Sequence, residues 1–223
     1  MGDINLFPLL LSLRVSITAT ILAIVIGIPI AYYLHRANGK MSDFIDTLIT
    51  LPIVLPPTVL GYYLLVLLGR NSPVGQFLEN YLDITIVFTP TGAVIAALVV
   101  SIPFMIKSAK TSFASIDQDL IHSAAILGRQ RLNIFFTIMV PLAWRGIVAG
   151  ITLTFARAMG DFGTTLMIAG SIPNETMTMP IAIYDALLVG DRILANTLVF
   201  IMTIVAITIL YAINRLEKRV IQG

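Results

Sequence analysis

The chain alternates between long apolar stretches and short polar segments. Five stretches hold about 20 mostly apolar residues, the length that a helix needs to cross the hydrocarbon core of a bilayer. The stretches lack the two-residue alternation of a barrel strand, and backbone groups in lipid must bond within their own segment, so each is predicted to be a helix. The five predicted spans are residues 15–34, 45–68, 89–106, 146–169 and 193–213.

Composition supports a membrane protein. Hydrophobic residues make up 57% of the chain and charged residues 12%, with a mean hydropathy of +0.94. Soluble domains hold about 45–50% apolar and about 25% charged residues, so an ordinary soluble enzyme and a disordered chain are both excluded. The sequence has no cysteine, and its two histidines, His35 and His122, lie far apart, so no metal site is predicted.

The distribution of lysine and arginine predicts the orientation of the spans. Cytoplasmic loops carry an excess of these residues, and one set of loops here is much richer in them than the other. The poorer set holds only Arg70 and Arg192. The richer set, predicted to be cytoplasmic, holds Arg36, Lys40, Lys107, Lys110, Arg129, Arg131, Arg145, Arg215, Lys218 and Arg219. The N-terminus is therefore predicted outside and the C-terminus in the cytoplasm.

Two outer segments are predicted to contain short helices. Residues 71–88 have the character of a short external helix, and residues 179–189 form an apolar piece that is too short to span. This second piece begins beside Pro180, a favourable first helical position. It is predicted to lie on the membrane surface or to re-enter at the mouth of a pathway.

The longest polar segment, residues 107–145, is predicted to carry a helix outside the membrane. Ser115 and Gln118 have the spacing of a capping box, which closes the start of a helix. Asp117 and Asp119 then fall in the first turn, where the helix dipole favours negative charge.

This helix is predicted to run to Leu127 and to end at Gly128, a residue suited to the position after a helix. It either packs on its own bundle or docks a cytoplasmic partner. Its predicted apolar side consists of Ile116, Leu120, Ala124 and Leu127.

Arg157 is predicted to lie near the middle of the bilayer, about 16 Å beyond Gly146 along a helix. A charge at that depth is costly and normally faces protein or water. Asp161 follows four residues later on the same helical face. Two compatible interpretations stay open: a structural ion pair, and a pathway element in which Arg157 attracts an anion.

Prolines are predicted to break the second span at Pro52, Pro56 and Pro57, because each lacks a backbone donor. The freed carbonyls need a protein or water-lined neighbour at that depth. The preferred interpretation is a kinked helix that lines a pathway or its gate, and a packing kink is the alternative. Hydroxyls for a passing solute are predicted from Thr58, Thr164 and Thr165, although such threonines often bond their own helix.

Small residues recur every four positions in the fourth predicted span, at Gly146 and Gly150 and again at Ala156 and Gly160. Such patterns let helices approach closely. They predict tight packing within the subunit or across a dimer, without deciding between the two.

The source of energy is predicted to lie outside this chain. The sequence holds no G-x-x-x-x-G-K-[ST] motif, so no Walker-type nucleotide site is predicted. Asp161 is the one acidic residue clearly within a predicted span, and no internal repeat is visible, which disfavours an ion-coupled carrier. A membrane enzyme lacks a catalytic cluster. Energy is therefore expected to come from a partner protein.

Two stretches of the cytoplasmic segment resemble a known motif. Residues 122–128 are H-S-A-A-I-L-G and residues 135–141 are F-F-T-I-M-V-P. Together they resemble the EAA loop of permease subunits of binding-protein-dependent ABC importers, roughly E-A-A-x-x-x-G followed by I-x-L-P. His122 departs from the pattern, because the family usually has glutamate there.

Three further stretches resemble molybdate and tungstate permeases, in the same order along nearly the whole chain. They are residues 51–65, which contain P-P-T-V-L-G-Y-Y, residues 155–165, F-A-R-A-M-G-D-F-G-T-T, and residues 172–184, I-P-N-E-T-M-T-M-P-I-A-I-Y. Asp161 stands in place of the usual glutamate. Sulfate permeases are near relatives that share part of the second stretch and are usually longer.

The resemblance implies a single permease domain over residues 1–223, with the fold of type I ABC importer permeases. This fold is all-α and membrane-integral, with about five transmembrane helices and a cytoplasmic coupling helix that fits a cleft in the ATPase. The residues implied for ATPase docking are Asp117, Asp119, His122, Ser123, Ala124, Ala125, Leu127, Gly128 and Arg129.

The resemblance further implies import of molybdate or tungstate in the plasma membrane of a prokaryote. Sulfate or thiosulfate import is the alternative, and an ATPase-independent anion channel or carrier is less favoured. Expected partners are a second permease copy, two cytoplasmic ABC ATPase subunits and an extracytoplasmic oxyanion-binding protein, with no nucleic acid. The chain itself is not expected to be an enzyme or to hold a cofactor, because ATP and Mg²⁺ belong on the ATPase.

Overall fold

A computed structural model describes residues 5–37 and 39–222, and these residues contain helices and no strands. In chain order, the helices are α1 (Phe7–Arg36), α2 (Lys40–Val54), α3 (Pro57–Leu68), α4 (Pro73–Leu82), α5 (Pro90–Ala114), α6 (Gln118–Ile126), α7 (Arg131–Ile134), α8 (Val140–Leu142), α9 (Trp144–Met159), α10 (Gly163–Ala169), α11 (Met179–Leu188) and α12 (Arg192–Gln222). A π-helical turn, Phe135–Met139, joins α7 to α8.

Five membrane crossings agree with the described helices. By length and apolar character, α1, α5 and the part of α12 over Arg192–Ile213 each qualify alone. Two bent pairs complete the set: α2 with α3, at 116°, and the segment Arg131–Leu142 with α9, at 73°. The short helices α4 and α11 confirm the predictions for residues 71–88 and 179–189.

Two predicted spans differ from the observed helices. Residues 45–68 were expected to form one kinked helix, but the chain turns through 116° between α2 and α3. Pro52 lies inside α2 without ending it, so the break falls at Pro56 and Pro57. Residues 146–169 were expected to form one helix, but they divide into α9 and α10 at residues 160–162. The apolar pattern continues through both breaks, which is why hydropathy does not reveal them.

The segments predicted to lie outside the cell meet at one end of the bundle. The Asn5 side-chain amide donates to Asn174 Oδ1 at 2.7 Å, and the Met179 backbone N–H donates to Ser12 Oγ at 2.7 Å. The segments predicted to be cytoplasmic meet at the other end, where an aromatic cluster joins Tyr32, Phe113 and Phe135. The alternation of loops is therefore as predicted. Which end faces the cytoplasm stays a prediction from the charge distribution.

The core of the bundle lies around α5, which packs against α1 and α9. Its buried side chains toward the outer end are small, among them Ala93, Ala96 and Ala97. On α9, a Cβ atom built at Gly146 would lie 1.6 Å from Ser112 Oγ. The Gly146–Gly150 pattern therefore serves packing within the subunit, against α5.

Candidate functional site

The two broken spans are in direct contact at their breaks. Helices α3 and α10 pack together. A Cβ atom built at Gly163 would lie 3.1 Å from Pro57 Cβ and 3.3 Å from the backbone nitrogen of Thr58. Such distances are shorter than ordinary carbon contacts of about 3.5–4.0 Å, so glycine is what allows the two backbones to come this close. The region where α3 and α10 begin is called the junction below.

One side-chain hydrogen bond joins the two broken spans at the junction. Thr164 is fully buried, and its hydroxyl donates to the Pro57 carbonyl oxygen at 3.1 Å. This bond removes the cost of an unpaired hydroxyl inside the membrane. The carbonyls that lose a donor at the break are those of Pro52 and Ile53, four residues before each proline, and the neighbour expected for them stays a prediction.

Asp161 holds both sides of the break between α9 and α10. One carboxylate oxygen accepts from Arg157 Nη1 at 3.2 Å. The other accepts from the backbone N–H and the hydroxyl of Thr165, at 2.9 and 2.8 Å. The ion pair predicted from the spacing of Arg157 and Asp161 is confirmed. The carboxylate also supplies an acceptor for a backbone donor in the first turn of α10.

The two members of this ion pair differ in exposure. The Asp161 side chain is 1% exposed, whereas the Arg157 side chain is 27% exposed. Arginine carries five N–H donors, and one contact to Asp161 leaves several for another acceptor. The Asp161 carboxylate is therefore inaccessible to a ligand, whereas the Arg157 guanidinium is accessible.

The predicted pathway residues gather at the junction with two different roles in this arrangement. Pro56, Pro57 and Thr58 are exposed. Thr164 and Thr165 are buried, and both hydroxyls donate to acceptors of the protein. An oxyanion needs donors, and the accessible charged donor here is Arg157.

Helix α6 lies in the predicted cytoplasmic segment, but its start differs from the prediction. The capping box expected at Ser115 and Gln118 is wrong. Ser115 follows the last residue of α5, and its hydroxyl donates back to the Ser112 carbonyl. Asp117 is the N-cap instead, and its Oδ1 accepts from the Asp119 backbone N–H at 2.9 Å. The long helix α5 uses Ser115 for its own end, so the next side chain with an acceptor starts α6.

The end of α6 confirms the role predicted for Gly128. This residue has a φ of +79°, a left-handed conformation that favours glycine. Its N–H donates to the Ala125 carbonyl at 3.0 Å, and the N–H of Arg129 donates to the Ala124 carbonyl at 3.2 Å. This pair of bonds is a Schellman motif, which turns the chain sharply away from the helix.

The predicted apolar side of α6 divides between two surfaces. Ile116 and Ala124 are buried in the core cluster that contains the aromatic residues at this end. Leu120 and Leu127 point outward instead, and they are exposed together with Ile126. Ile126 is 86% and Leu127 82% exposed. One face of α6 thus packs on the bundle while the other presents large apolar side chains to the surroundings.

Most other residues predicted for ATPase docking are accessible. Exposed positions on or beside α6 are Asp117, Asp119, His122, Ser123, Ala125, Gly128 and Arg129. Arg129 Nη1 donates to the Thr137 hydroxyl at 3.2 Å, which ties the segment after α6 to the π-helical turn.

Sequence reasoning missed an ion cluster at the inner end of the bundle. Asp46 on α2 pairs through Oδ2 with Lys107 Nζ at 2.8 Å and Lys110 Nζ at 3.2 Å. The two lysines lie three residues apart on α5, a spacing that places them on one helical face and indicates a shared partner. The cluster links α2 to the end of the helix that leads to α6.

A groove of about 1000 Å³ opens at the opposite end of the bundle. It lies between the end of α3, α4 and residues 84–89, with Glu175 at its edge. Arg70 and Glu79, which line it, form an exposed ion pair at 3.4 Å.

Comparison with known proteins places the chain among transport components. The model of the family described as "Binding-protein-dependent transport system inner membrane component" matches residues 23–222. The putative molybdenum transport system permease protein YvgM of Bacillus subtilis (strain 168) is 40% identical over 208 residues, 93% of this chain and 92% of that protein.

Two further relatives have similar names. The molybdenum transport system permease protein ModB of Escherichia coli (strain K12) is 41% identical over 175 residues, 78% of this chain and 76% of that protein. The protein of the same name from Azotobacter vinelandii is 35% identical over 214 residues, 96% of this chain and 94% of that protein.

Among solved structures, the chain is similar to a chain of the MetNI methionine ABC transporter in inward facing conformations. The TM-score is 0.78 and the alignment covers 99% of both chains, with 18% sequence identity. At that identity, the similarity shows the fold alone. It confirms the type I ABC importer permease fold predicted from the sequence.

Proposed function

Since the chain belongs to the family of binding-protein-dependent transport system inner membrane components, we propose that it is the permease subunit of an ABC importer for molybdate. The observation that carries the substrate is the 40% identity to a putative molybdenum permease over 93% of this chain. The three relatives reported above are named for molybdenum and not for sulfate. Tungstate, an oxyanion of the same charge and shape, is proposed as a second substrate.

The proposed energy source is a separate cytoplasmic ATPase that docks on α6, with two ATPase subunits for two permease copies. Support comes from the exposed face of α6, where Leu120, Ile126 and Leu127 project from a segment rich in polar residues. Large exposed apolar side chains outside the membrane are typical of a protein contact. In this proposal ATP and Mg²⁺ bind to the ATPase, and this chain binds no cofactor.

Two copies of the chain are proposed to enclose the pathway, facing each other along α9. After Trp144 and Arg145, the exposed positions of this helix and of the residue that follows it form a stripe at helical spacing: Ala149, Leu153, Ala156 and Gly160. Mostly small residues allow close helix approach. Arg157 lies beside the stripe with its side chain partly exposed. A charge within a span faces protein or water and not lipid, so this surface favours a second copy and a water-filled pathway.

Cysteine cross-linking tests this arrangement cleanly, because the sequence has no native cysteine. Ala156→Cys, or Leu153→Cys one turn away, is expected to form a covalent dimer in membranes when oxidised. Val25→Cys, exposed on the α1 surface, is the matched control and is expected to remain monomeric. Equal cross-linking of the control, or none at either α9 position, contradicts the proposed interface.

Arg157 is proposed to attract the oxyanion transiently. A molybdate ion carries two negative charges, and a fully unpaired arginine would bind it tightly and slow its release. The contact with Asp161 at 3.2 Å neutralises part of the positive charge while leaving donors accessible. Selectivity is proposed to rest mainly with an extracytoplasmic oxyanion-binding protein, which docks on the outer end of the bundle near the groove beside α4.

Uptake of labelled molybdate by cells that carry this chain with its ATPase and binding protein tests the function. Uptake is expected to require all three proteins, to stop when ATP is depleted, and to fall when unlabelled tungstate is added. If sulfate competes and tungstate does not, the chain is a sulfate permease and the proposed molybdate substrate is wrong. Uptake that persists without the ATPase or ATP identifies a channel or carrier and overturns the mechanism.

A further inference from the structure

A groove at the inner end of α1 has the chemistry of a site for an anionic group. Its volume is about 340 Å³, and its lining comes from the last turns of α1 and the first turn of α7. The lining residues are Tyr32, Tyr33, Arg36, Ala37, Arg131 and Leu132. The groove is separate from the junction of α3 and α10 and from the exposed face of α6, so neither proposal above accounts for it.

Two arginines approach the groove from different helices. Arg36 ends α1 and Arg131 begins α7. In the part of the chain that the structure describes, neither side chain lies within 4.0 Å of a carboxylate. Both arginines line the cavity, and an anion there is attracted by both positive charges. The site therefore favours a negatively charged occupant.

The Arg36 side of the groove is held in place before any ligand binds. Arg36 Nη1 donates to the Tyr32 hydroxyl at 2.6 Å, and its guanidinium lies over the Tyr32 ring at 5.5 Å from the centroid. The Tyr32 ring in turn packs on Phe135, with ring centroids 4.7 Å apart. A guanidinium fixed in this way loses little conformational freedom on binding, which strengthens recognition of a phosphate.

The position of the groove along α1 matches the headgroup layer of a membrane. Exposed residues at helical spacing form one stripe along this helix: Leu10, Arg14, Ile17, Ile21, Val25, Pro29, Tyr33 and Arg36. The stretch without a charge is bounded by Arg14 and Arg36, between which the helix rises about 33 Å. The hydrocarbon core of a bilayer is about 30 Å thick. Tyr33 and Arg36 therefore lie where the lipid-facing stripe reaches the interface.

The wall of the groove toward the stripe is apolar. Tyr33 and Leu132 are both exposed and line the cavity beside the arginines. A free phosphate ion gains nothing from such a wall, and an acidic protein segment does not reach a surface that faces lipid. A phospholipid fits both parts, because its phosphate contacts the arginines while its acyl chains lie along the apolar wall.

We propose that the Arg36–Arg131 groove binds the headgroup of an anionic phospholipid, such as phosphatidylglycerol, at the cytoplasmic surface of the membrane. The inference concerns lipid binding alone and does not depend on which ion is transported. Basic pockets between helices on this side of a membrane are suited to such headgroups.

Native mass spectrometry of the purified transporter in mild detergent tests the proposal by titration with phosphatidylglycerol and, separately, phosphatidylethanolamine. We expect preferential binding of phosphatidylglycerol, weakened roughly fivefold to tenfold by Arg36→Gln or by Arg131→Gln. Arg145→Gln is the matched control, because Arg145 is exposed in the same basic set and does not line the groove. This control is expected to bind phosphatidylglycerol as the unsubstituted protein does.

Four results would overturn the proposal. Equal binding of the two lipids by the unsubstituted protein shows that charge is not recognised. Equal weakening by Arg145→Gln shows a general effect of surface charge without a site. Loss of the ATPase with unchanged lipid binding in Arg36→Gln and Arg131→Gln assigns the groove to a protein partner. Inorganic phosphate in excess is expected to leave the bound lipid in place, and its displacement identifies a free-anion site instead.

Discussion

Replacing Gly61 by alanine tests the contact between the two broken spans. A Cβ atom at position 61 would lie 2.6 Å from Met167 Cβ and 3.2 Å from Thr164 Cα. Carbon atoms in contact prefer about 3.5–4.0 Å, so α3 must move away from α10 by about 1 Å. Part of the clash involves backbone, which a change of rotamer cannot relieve.

The expected cost follows from this displacement. Adding a methylene-sized group to a packed core costs about 1–3 kcal/mol. The shift also lengthens the hydrogen bond from the Thr164 hydroxyl to the Pro57 carbonyl, now 3.1 Å, and leaves the buried hydroxyl poorly paired. We therefore expect Gly61→Ala to destabilise the subunit by about 2 kcal/mol, which for a chain of this size lowers the melting temperature by about 4–8 °C.

The assay compares Gly61→Ala with Val25→Ile, which adds one methyl group on α1, outside the junction and the proposed dimer interface. Val25 is 63% exposed, so the added group meets no packed backbone and little strain is expected. Thermal unfolding of the purified transporter and molybdate uptake in cells are the two measurements. We expect a lower melting temperature and several-fold slower uptake for Gly61→Ala alone. If the two variants melt and transport alike, the close packing of α3 on α10 is refuted.

Three further predictions concern other parts of the molecule. Gly128→Asp is expected to abolish coupling to the ATPase while membrane insertion stays intact, because a left-handed conformation costs a side chain about 1–2 kcal/mol and the turn after α6 shifts. ATPase co-purification and uptake measure this loss of coupling. Gly190→Asp is the control, because Gly190 has a φ of +80° and lies in open space beyond α11. Asp161→Asn is expected to destabilise the subunit by about 2–3 kcal/mol. This is somewhat less than the cost of removing a partner from a fully buried ion pair, because Arg157 stays partly exposed. Thermal unfolding measures the loss, and a stability equal to that of Asp161→Glu would contradict a role for the charge. Asp46→Asn is expected to lower the free energy of unfolding by about 1 kcal/mol, since two partly exposed ion pairs are weakened. Asp43→Asn, an exposed position on the same helix, is the control for thermal unfolding. An equal effect of both substitutions would contradict a stabilising role for the ion cluster.

The breaks in the spans show where prediction from sequence ends. Pro56 and Pro57 indicate that a helix cannot continue, since the ring removes a donor and clashes with the preceding turn. They do not determine the angle of 116° between α2 and α3. That angle depends on the packing of α3 on α10, which Gly61 and Gly163 permit, and α10 is distant in sequence. The second break is marked more weakly, by glycine at positions 160 and 163, within a run that stays apolar enough to be mistaken for one helix.

For helix α6, sequence and structure agree at the end and differ at the start. Its end was predictable, because the positive φ at Gly128 is a local property that residue type strongly favours. Its start was not, because two acceptor side chains, Ser115 and Asp117, compete for the same role. The choice depends on where α5 ends, and α5 continues to Ala114 because its last turns are buried against α1 and α9. The Asp46 cluster was missed for a similar reason, since its partners lie 61 and 64 residues away.

Rigid helices connect α6 to the junction of α3 and α10. Helix α5 leads to α6 at one end, and its Ser108 and Ser112 lie too close to Gly150 and Gly146 for α9 to slide past it. Helix α9 therefore moves with α5, and its 16 residues transmit that motion over about 24 Å to the break at residues 160–162. The break lacks the continuous hydrogen-bond ladder of a helix, so rotation there costs less than bending α9. Asp161 bonds Arg157 on one side of this break and Thr165 on the other, so its carboxylate sets the angle between α9 and α10. A change of that angle is expected to move Thr164, whose hydroxyl bonds the Pro57 carbonyl at the start of α3, so we expect the two broken spans to move together.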